Sequence, residues 1–144
     1  MKNLSFVFLF FSLAIPSLLS AQIRKIPSEV TDAFHRMYPE AENVEWRDRI
    51  TQFAAEFELK DVKYEARYDN KGKWIQTEHN IEESDLPADV RDGYAKSKYA
   101  DWKMEAMYKV ELPDHVFEYR IVATHGDIQK RNLLFNAKGR LLKD

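Results

Sequence analysis

The sequence contains no cysteine, which excludes disulfide bonds, thiolate metal sites and a cysteine nucleophile. It also has no excess of basic residues, since 22 lysines and arginines stand against 24 aspartates and glutamates. A chain without a basic excess lacks the electrostatic footprint of a nucleic-acid binder, so nucleic acid is not expected among its partners. With 44% hydrophobic and 32% charged residues, the composition is typical of an ordinary folded protein.

A hydrophobic run lies at the start of the chain. Lys2 precedes a largely apolar stretch over residues 4–15, which Pro16 interrupts and the small residue Ala21 ends. This order is typical of a secretory signal peptide. The alternative, an uncleaved anchor helix, is disfavoured because a bilayer span needs about 20 apolar residues. We therefore predict a signal peptide over residues 1–21, a periplasmic or secreted location, and no stable membrane insertion after cleavage.

Two pairs of segments in the remaining chain match each other. Residues 26–34 and 86–94 both contain an aliphatic residue before proline, an acid two positions later, then valine, aspartate and an aromatic residue. Residues 68–75 and 135–142 both begin with an aromatic residue and contain a Lys-Gly pair. Such internal similarity indicates two copies of one structural unit. The predicted repeats cover residues 22–81 and 82–144 and form one structural domain.

Each predicted repeat begins with a helix. Proline favours the first helical turn, where the acid that follows it also suits the helix dipole. In the first copy Val30 and Phe34 follow helical spacing. The second helix is predicted from Pro87 to about Lys98 and contains Gly93, which costs about 1 kcal/mol relative to alanine.

Alternation of apolar and charged residues follows each helix and predicts four strands per repeat. Strands with one apolar and one charged face are typical of an antiparallel sheet that helices cover on one side. The predicted fold is therefore α+β, with two tandem helix-plus-four-strand repeats that form a continuous antiparallel sheet with the helices on one face. The aromatic residues assigned to the helix-covered face are Trp46, Tyr64, Tyr68, Trp102, Tyr108 and Tyr119.

This arrangement resembles a known protein family. The residues that carry the resemblance are Ile26 and Pro27 with Val30 and Phe34, Leu86 and Pro87 with Val90 and Tyr94, and the turns at Gly72 and Gly139. Over residues 26–144 the chain resembles the PepSY-like domains, in particular the small exported beta-lactamase-inhibitor-like proteins typical of Bacteroidetes. The resemblance implies a scaffold whose open sheet face docks a partner protein, as in the namesake inhibitors, with no catalytic role.

The sequence carries no pattern for catalysis, metal binding or cofactor binding. The four histidines, His35, His79, His115 and His125, show no ligand spacing. None of the serines after residue 21 lies in the Gly-x-Ser-x-Gly turn of a serine hydrolase. We therefore predict that the protein is not an enzyme and that it binds neither a metal ion nor a cofactor.

Two functions remain open. The first is a non-catalytic module that binds or inhibits an unidentified envelope or secreted protein through the charged face of the sheet. The alternative is a carrier that holds a small ligand between the helices and the sheet. For the first function, alternation assigns apolar and charged side chains to the charged face, a mixture common at interfaces. The candidate binding residues are Glu56 and Arg67 in the first repeat and Met107, Val116, Glu118, Arg120 and Val122 in the second.

Overall fold

The structure, a computed structural model, describes residues 25–144. The predicted signal peptide at residues 1–21 lies outside the described residues. Over the described range, neither helix is long and apolar enough to cross a lipid bilayer.

Two helices and eight strands make up the described chain. Helix α1 spans Ser28–Met37, followed by β1 (Glu42–Asp48), β2 (Gln52–Leu59), β3 (Val62–Asp69) and β4 (Trp74–Ile81). Helix α2 spans Ala88–Ala95, followed by β5 (Lys103–Leu112), β6 (Val116–His125), β7 (Gln129–Asn136) and β8 (Leu141–Lys143). All eight strands form one antiparallel sheet in chain order. The predicted α+β class and the continuous antiparallel sheet are confirmed, while α2 ends before the predicted Lys98.

The register of the strands defines two sides of the sheet. Residues directly opposite each other on neighbouring strands point to the same side. Tyr64, His79, Lys109 and Tyr119 are opposite one another in turn across β3, β4, β5 and β6. Tyr64 packs against the α1 cluster and Tyr119 belongs to the α2 cluster. The strand residues that contact the two helices therefore lie on the same side, here called the helix side, and the opposite side is called the open side.

Phe34 of α1 forms the centre of the first core and is 0% exposed. Its ring forms T-shaped pairs with Trp46 of β1 at 5.3 Å and with Phe57 of β2 at 5.1 Å between ring centroids. Tyr68 of β3 is buried in the same cluster. Burying an aromatic side chain of this size contributes about 1.5–3 kcal/mol, so these contacts hold α1 on the sheet.

The second core has the same plan around α2. Val90 and Tyr94 of α2 pack with Ile121 of β6 and Phe135 of β7 in one buried cluster. The Tyr94 hydroxyl donates a hydrogen bond to the backbone carbonyl of Trp102, at 2.8 Å. This bond satisfies a polar group that burial would otherwise leave without a partner.

Glycines bring each helix into contact with a hairpin turn. Gly72 and Gly139 have φ angles of +79° and +73°, and each packs against a helix backbone carbonyl, that of Glu29 and that of Asp89 respectively. A Cβ atom at either glycine would overlap that carbonyl. Gly93 of α2 packs against the backbone of Gly139, where a Cβ atom would also overlap. The glycine inside α2, unfavourable by helix propensity, therefore permits a close helix-to-turn contact.

Strand β5 contains a β-bulge. Met104 lies opposite Ala123 and Ala106 lies opposite Val122, so Glu105 is an extra residue in β5. An extra residue moves the following side chains to the other side of a sheet. The alternation predicted for β5 is consequently reversed beyond this point.

The bulge overturns two assignments made from the sequence. Met107 lies on the helix side, opposite Ile81 and Ile121, and is buried in the α2 cluster, so its predicted position on the partner-binding face is wrong. Tyr108, predicted on the helix side, lies on the open side opposite Arg120. Met107 fills an apolar position between Ile81 and Ile121 on the helix side. The bulge that brings Met107 there leaves Glu105 without a residue directly opposite it on β6.

The position of Met107 gives a stability prediction. Because Met107 is only 9% exposed, Met107→Ala should lower the free energy of unfolding by about 2–5 kcal/mol. Val116→Ala, at a position that is 50% exposed, should change it by less than about 0.5 kcal/mol. Urea unfolding of the two variants measures the difference. Equal, small losses would contradict the burial of Met107.

Candidate functional site on the open side of the sheet

The structure places most of the predicted binding residues on one side of the sheet, where Val122 is only 6% exposed. By strand register, those on the open side are Glu56, Arg67, Val116, Glu118, Arg120 and Val122. Met107 is the exception. That these residues bind a partner stays a prediction.

A row of glutamates crosses the open side at right angles to the strands. Glu56, Glu65 and Glu78 lie directly opposite one another on β2, β3 and β4. The row continues through Val110 on β5 to Glu118 on β6. Like charges directly opposite on neighbouring strands destabilise a sheet, so this row requires compensating cations.

Arg120 supplies the compensating charge for the innermost glutamate. Glu78 is 7% exposed, and its carboxylate accepts hydrogen bonds from Arg120 Nη2 at 2.6 Å and from Nε at 3.3 Å. A bidentate pair of this kind is both strong and specific in direction. Arg67 Nη2 lies 3.6 Å from the same carboxylate. Two predicted site residues, Arg67 and Arg120, are therefore brought together by Glu78, which the sequence did not single out.

The Arg120 side chain lies over the ring of Tyr108 where it extends across the sheet to Glu78. The guanidinium carbon of Arg120 lies 3.8 Å from the centroid of the Tyr108 ring. A cation over an aromatic face is stabilised by the ring quadrupole. Because Tyr108 is on β5, Arg120 of β6 reaches over this strand to β4. The bulge at Glu105 makes this contact possible, since it places Tyr108 on the open side.

The two glutamates of the row on β2 and β3 have their own arginine partners. Glu65 accepts a hydrogen bond from Arg67 Nε at 2.5 Å and one from Arg49 Nη2 at 2.9 Å. Arg47 Nε lies 2.6 Å from Glu56, but these side chains are 56% and 37% exposed. Exposed pairs contribute about 0–1 kcal/mol, so the buried part of the network matters most for stability.

Two open-side carboxylates lack a partner. The side chains of Glu45, which lies opposite Glu56, and of Glu118 form neither an ion pair nor a hydrogen bond within residues 25–144. Burial raises the pKa of Glu118 above its usual value. A raised carboxyl pKa means that the folded chain binds this proton more tightly than the unfolded chain, so ionisation of Glu118 reduces stability as the pH rises.

Two grooves flank the pair formed by Glu78 and Arg120. The first has a volume of about 410 Å³ and includes Glu45, Glu58 and Tyr108 in its lining. The second has a volume of about 520 Å³ and is lined by residues of β3 to β8 and by the turn residue Arg49. Both grooves include Glu65, Glu78 and Arg120 in their lining, so the Glu78–Arg120 pair lies at the boundary between them, here called the ridge.

The histidines each have a separate local neighbour. Within residues 25–144, no three histidine, aspartate or glutamate side chains are arranged to hold a metal ion. Burial lowers the pKa of His79, which lies on the helix side. The neighbour pairs are His35 with Phe34, His79 with Tyr64, His115 with Glu111, and His125 with Trp102.

Comparison with known proteins identifies the family. Residues 51–143 match the family model described as "Putative beta-lactamase-inhibitor-like, PepSY-like". No functionally curated protein matches the sequence.

Several crystal structures from Bacteroides share the fold. A DUF2874 family protein from Bacteroides ovatus is 24% identical, with a TM-score of 0.74 over 83% of this chain and 86% of that one. A protein from Bacteroides eggerthii described among "putative periplasmic proteins" is 22% identical, with a TM-score of 0.73 over 83% and 88%. A BLIP-like protein from Bacteroides fragilis is 22% identical, with a TM-score of 0.71 over 85% and 87%.

The contact between Glu78 and Arg120 gives a second stability prediction. A double-mutant cycle with Glu78→Gln and Arg120→Met should show a coupling energy of about 1–3 kcal/mol, because each substitution alone leaves a partly buried charge without its partner. The exposed pair Arg47 and Glu56 is the matched control, with an expected coupling below about 1 kcal/mol. Chemical denaturation measures both cycles. Equal coupling in the two pairs would contradict a special role for the buried one.

Proposed function

The chain belongs to the PepSY-like, beta-lactamase-inhibitor-like family, and on this basis we propose that it is a non-catalytic, inhibitor-like module that binds another protein through the open side of its sheet. The observation that carries this proposal is the network of Glu78, Arg120 and Tyr108 between two grooves. This network gives the open side grooves and partly buried polar groups, which a strand face fully exposed to water lacks.

The residue types on the open side support protein binding. Tyr108 and Arg120 belong to the types that most often dominate binding energy at protein interfaces. Val110 and Leu134 add apolar surface to the floor of the second groove. Charged side chains surround these residues, as in the polar rim of an interface.

An exported location is part of the proposal. The N-terminal run of apolar residues has the pattern of a signal peptide. The similar protein from Bacteroides eggerthii carries a periplasmic description. The partner is then an envelope or secreted protein that shares this compartment.

The interior between helices and sheet gives less support to a ligand carrier. Phe34, Tyr68, Val90 and Phe135 are fully buried against one another and their neighbours within the two cores. The two grooves at the Glu78–Arg120 ridge are open to solvent on the other side of the sheet. We therefore do not propose the carrier function.

The open side can be blocked without touching the cores. Asn80 and Asn132 are exposed open-side residues, one in each groove. The variant with Asn80→Arg and Asn132→Arg should lose a partner that the wild-type protein captures from an envelope extract of its own organism. With the purified partner, the dissociation constant should rise at least about tenfold, because bulky cations then occupy both grooves.

A matched control is available on α2. Ala88 and Ala95 are exposed there, so Ala88→Arg with Ala95→Arg adds the same charge away from the open side. This control should bind like the wild-type protein. Unchanged binding by the blocked variant, or loss of binding in the control, would contradict docking on the open side.

A further inference from the structure

The two grooves differ in the sign of the charge that lines them. Glu65, Glu78 and Arg120 line both grooves. Apart from these shared residues, the first groove has three glutamates and one cation, Lys63. The second groove has three cations and one glutamate, Glu118. We propose that the open side binds a partner-protein segment that is cationic where it enters the first groove and anionic where it enters the second. This inference rests on the proposed function and adds the chemistry of the partner.

The first groove favours a cation because its acids are incompletely neutralised. Glu45 has no partner among the described residues, and Lys63 lies 3.9 Å from Glu58 with a side chain that is 86% exposed. Glu45 and Glu56 are directly opposite each other in the same groove, and the arginine partner of Glu56, Arg47, is 56% exposed. A cationic side chain from a partner would relieve this repulsion between neighbouring strands.

The second groove favours an anion. Its cations are Arg49, Arg67, Arg120 and Lys143. The side chain of Lys143 forms neither an ion pair nor a hydrogen bond with the described part of the chain, so it is available to a partner. The floor of the groove includes Val110 and Leu134, and an apolar floor strengthens an ion pair that forms above it by excluding water.

The ridge between the grooves fixes the order of the two charges. Arg120 is held on the Tyr108 ring and bound to Glu78, so this ridge cannot reorganise freely to suit either charge. A segment that crosses the ridge in the reverse direction would place like charges together in both grooves. Like charges placed together at an interface cost several kcal/mol of binding free energy. This cost excludes partners with the wrong charges and fixes the direction in which the bound segment runs.

Short peptides provide defined probes for the two grooves. Three peptides share one neutral glycine-serine sequence and carry two lysines, two glutamates or two glutamines. Each is titrated into the isotope-labelled protein at low salt, and the backbone amide chemical shifts are recorded. The lysine peptide should shift amides of the first groove, such as those of Glu45 and Glu58. The glutamate peptide should shift amides of the second, such as those of Gln76 and Lys143, and the glutamine peptide should shift neither set.

Charge-reversal variants sharpen the test. Glu45→Lys with Glu58→Lys should weaken binding of the lysine peptide at least about tenfold and leave the glutamate peptide unaffected in the second groove. Arg49→Glu with Lys143→Glu should do the converse. Asp32→Lys, at an exposed position on α1, is the control and should leave both affinities within about twofold of the wild type.

The possible results separate this inference from the proposed function. Equal shifts of the same open-side amides by all three peptides would overturn the charge inference and leave docking on the open side intact. Shifts confined to helix-side residues would contradict both proposals. Absence of any shift would overturn the charge inference, and the blocked variant with Asn80→Arg and Asn132→Arg then tests the proposed function independently.

Discussion

The register in which β4 pairs with β5 aligns the two halves of the sheet, β1–β4 and β5–β8, with each other. Ile81 lies opposite Met107 on the helix side, and Glu78 lies opposite Val110 on the open side. The first contact joins the end of β4 to the α2 core. The second places Glu78 two strands away from Arg120, across β5 and within reach of its guanidinium. A slip of one residue would exchange the two sides and remove both arrangements.

Much of the fold follows from local patterns in the sequence. The helical spacing of Val30 and Phe34 predicts α1, and both residues are fully buried. The alternation from Phe53 to Tyr68 predicts β2, β3 and the side of the sheet that each residue occupies. These predictions succeed because each pattern is complete within one element. The division into repeats at residues 22–81 and 82–144 stays a prediction.

The predictions that fail concern residues whose positions are set by contacts with distant parts of the chain. Even-numbered residues of β5 from Met104 to Val110 are apolar without a break, so alternation gives no sign of the bulge at Glu105. The packing of Met107 between Ile81 and Ile121 determines its position. Glu78 pairs with a residue that is 42 positions away along the chain, across an intervening strand. No spacing rule connects residues so far apart.

The same interactions that stabilise the sheet also shape its open side. Arg120 compensates the charge of a buried glutamate, covers an aromatic ring and separates two grooves. Glu78 and Tyr108 both hold this side chain, so contacts within the sheet set its position before any partner arrives. A preorganised surface loses less side-chain entropy on binding, which favours a specific complex.

We predict that the pairing of β4 with β5 makes the two halves of the sheet one cooperative unit, and native-state hydrogen exchange tests this most directly. The slowest amides of the first half, such as that of Ala66, and of the second half, such as that of Ile121, should give the same opening free energy. That energy should equal the global free energy of unfolding measured with denaturant. Two distinct opening energies, one for each half, would contradict this prediction.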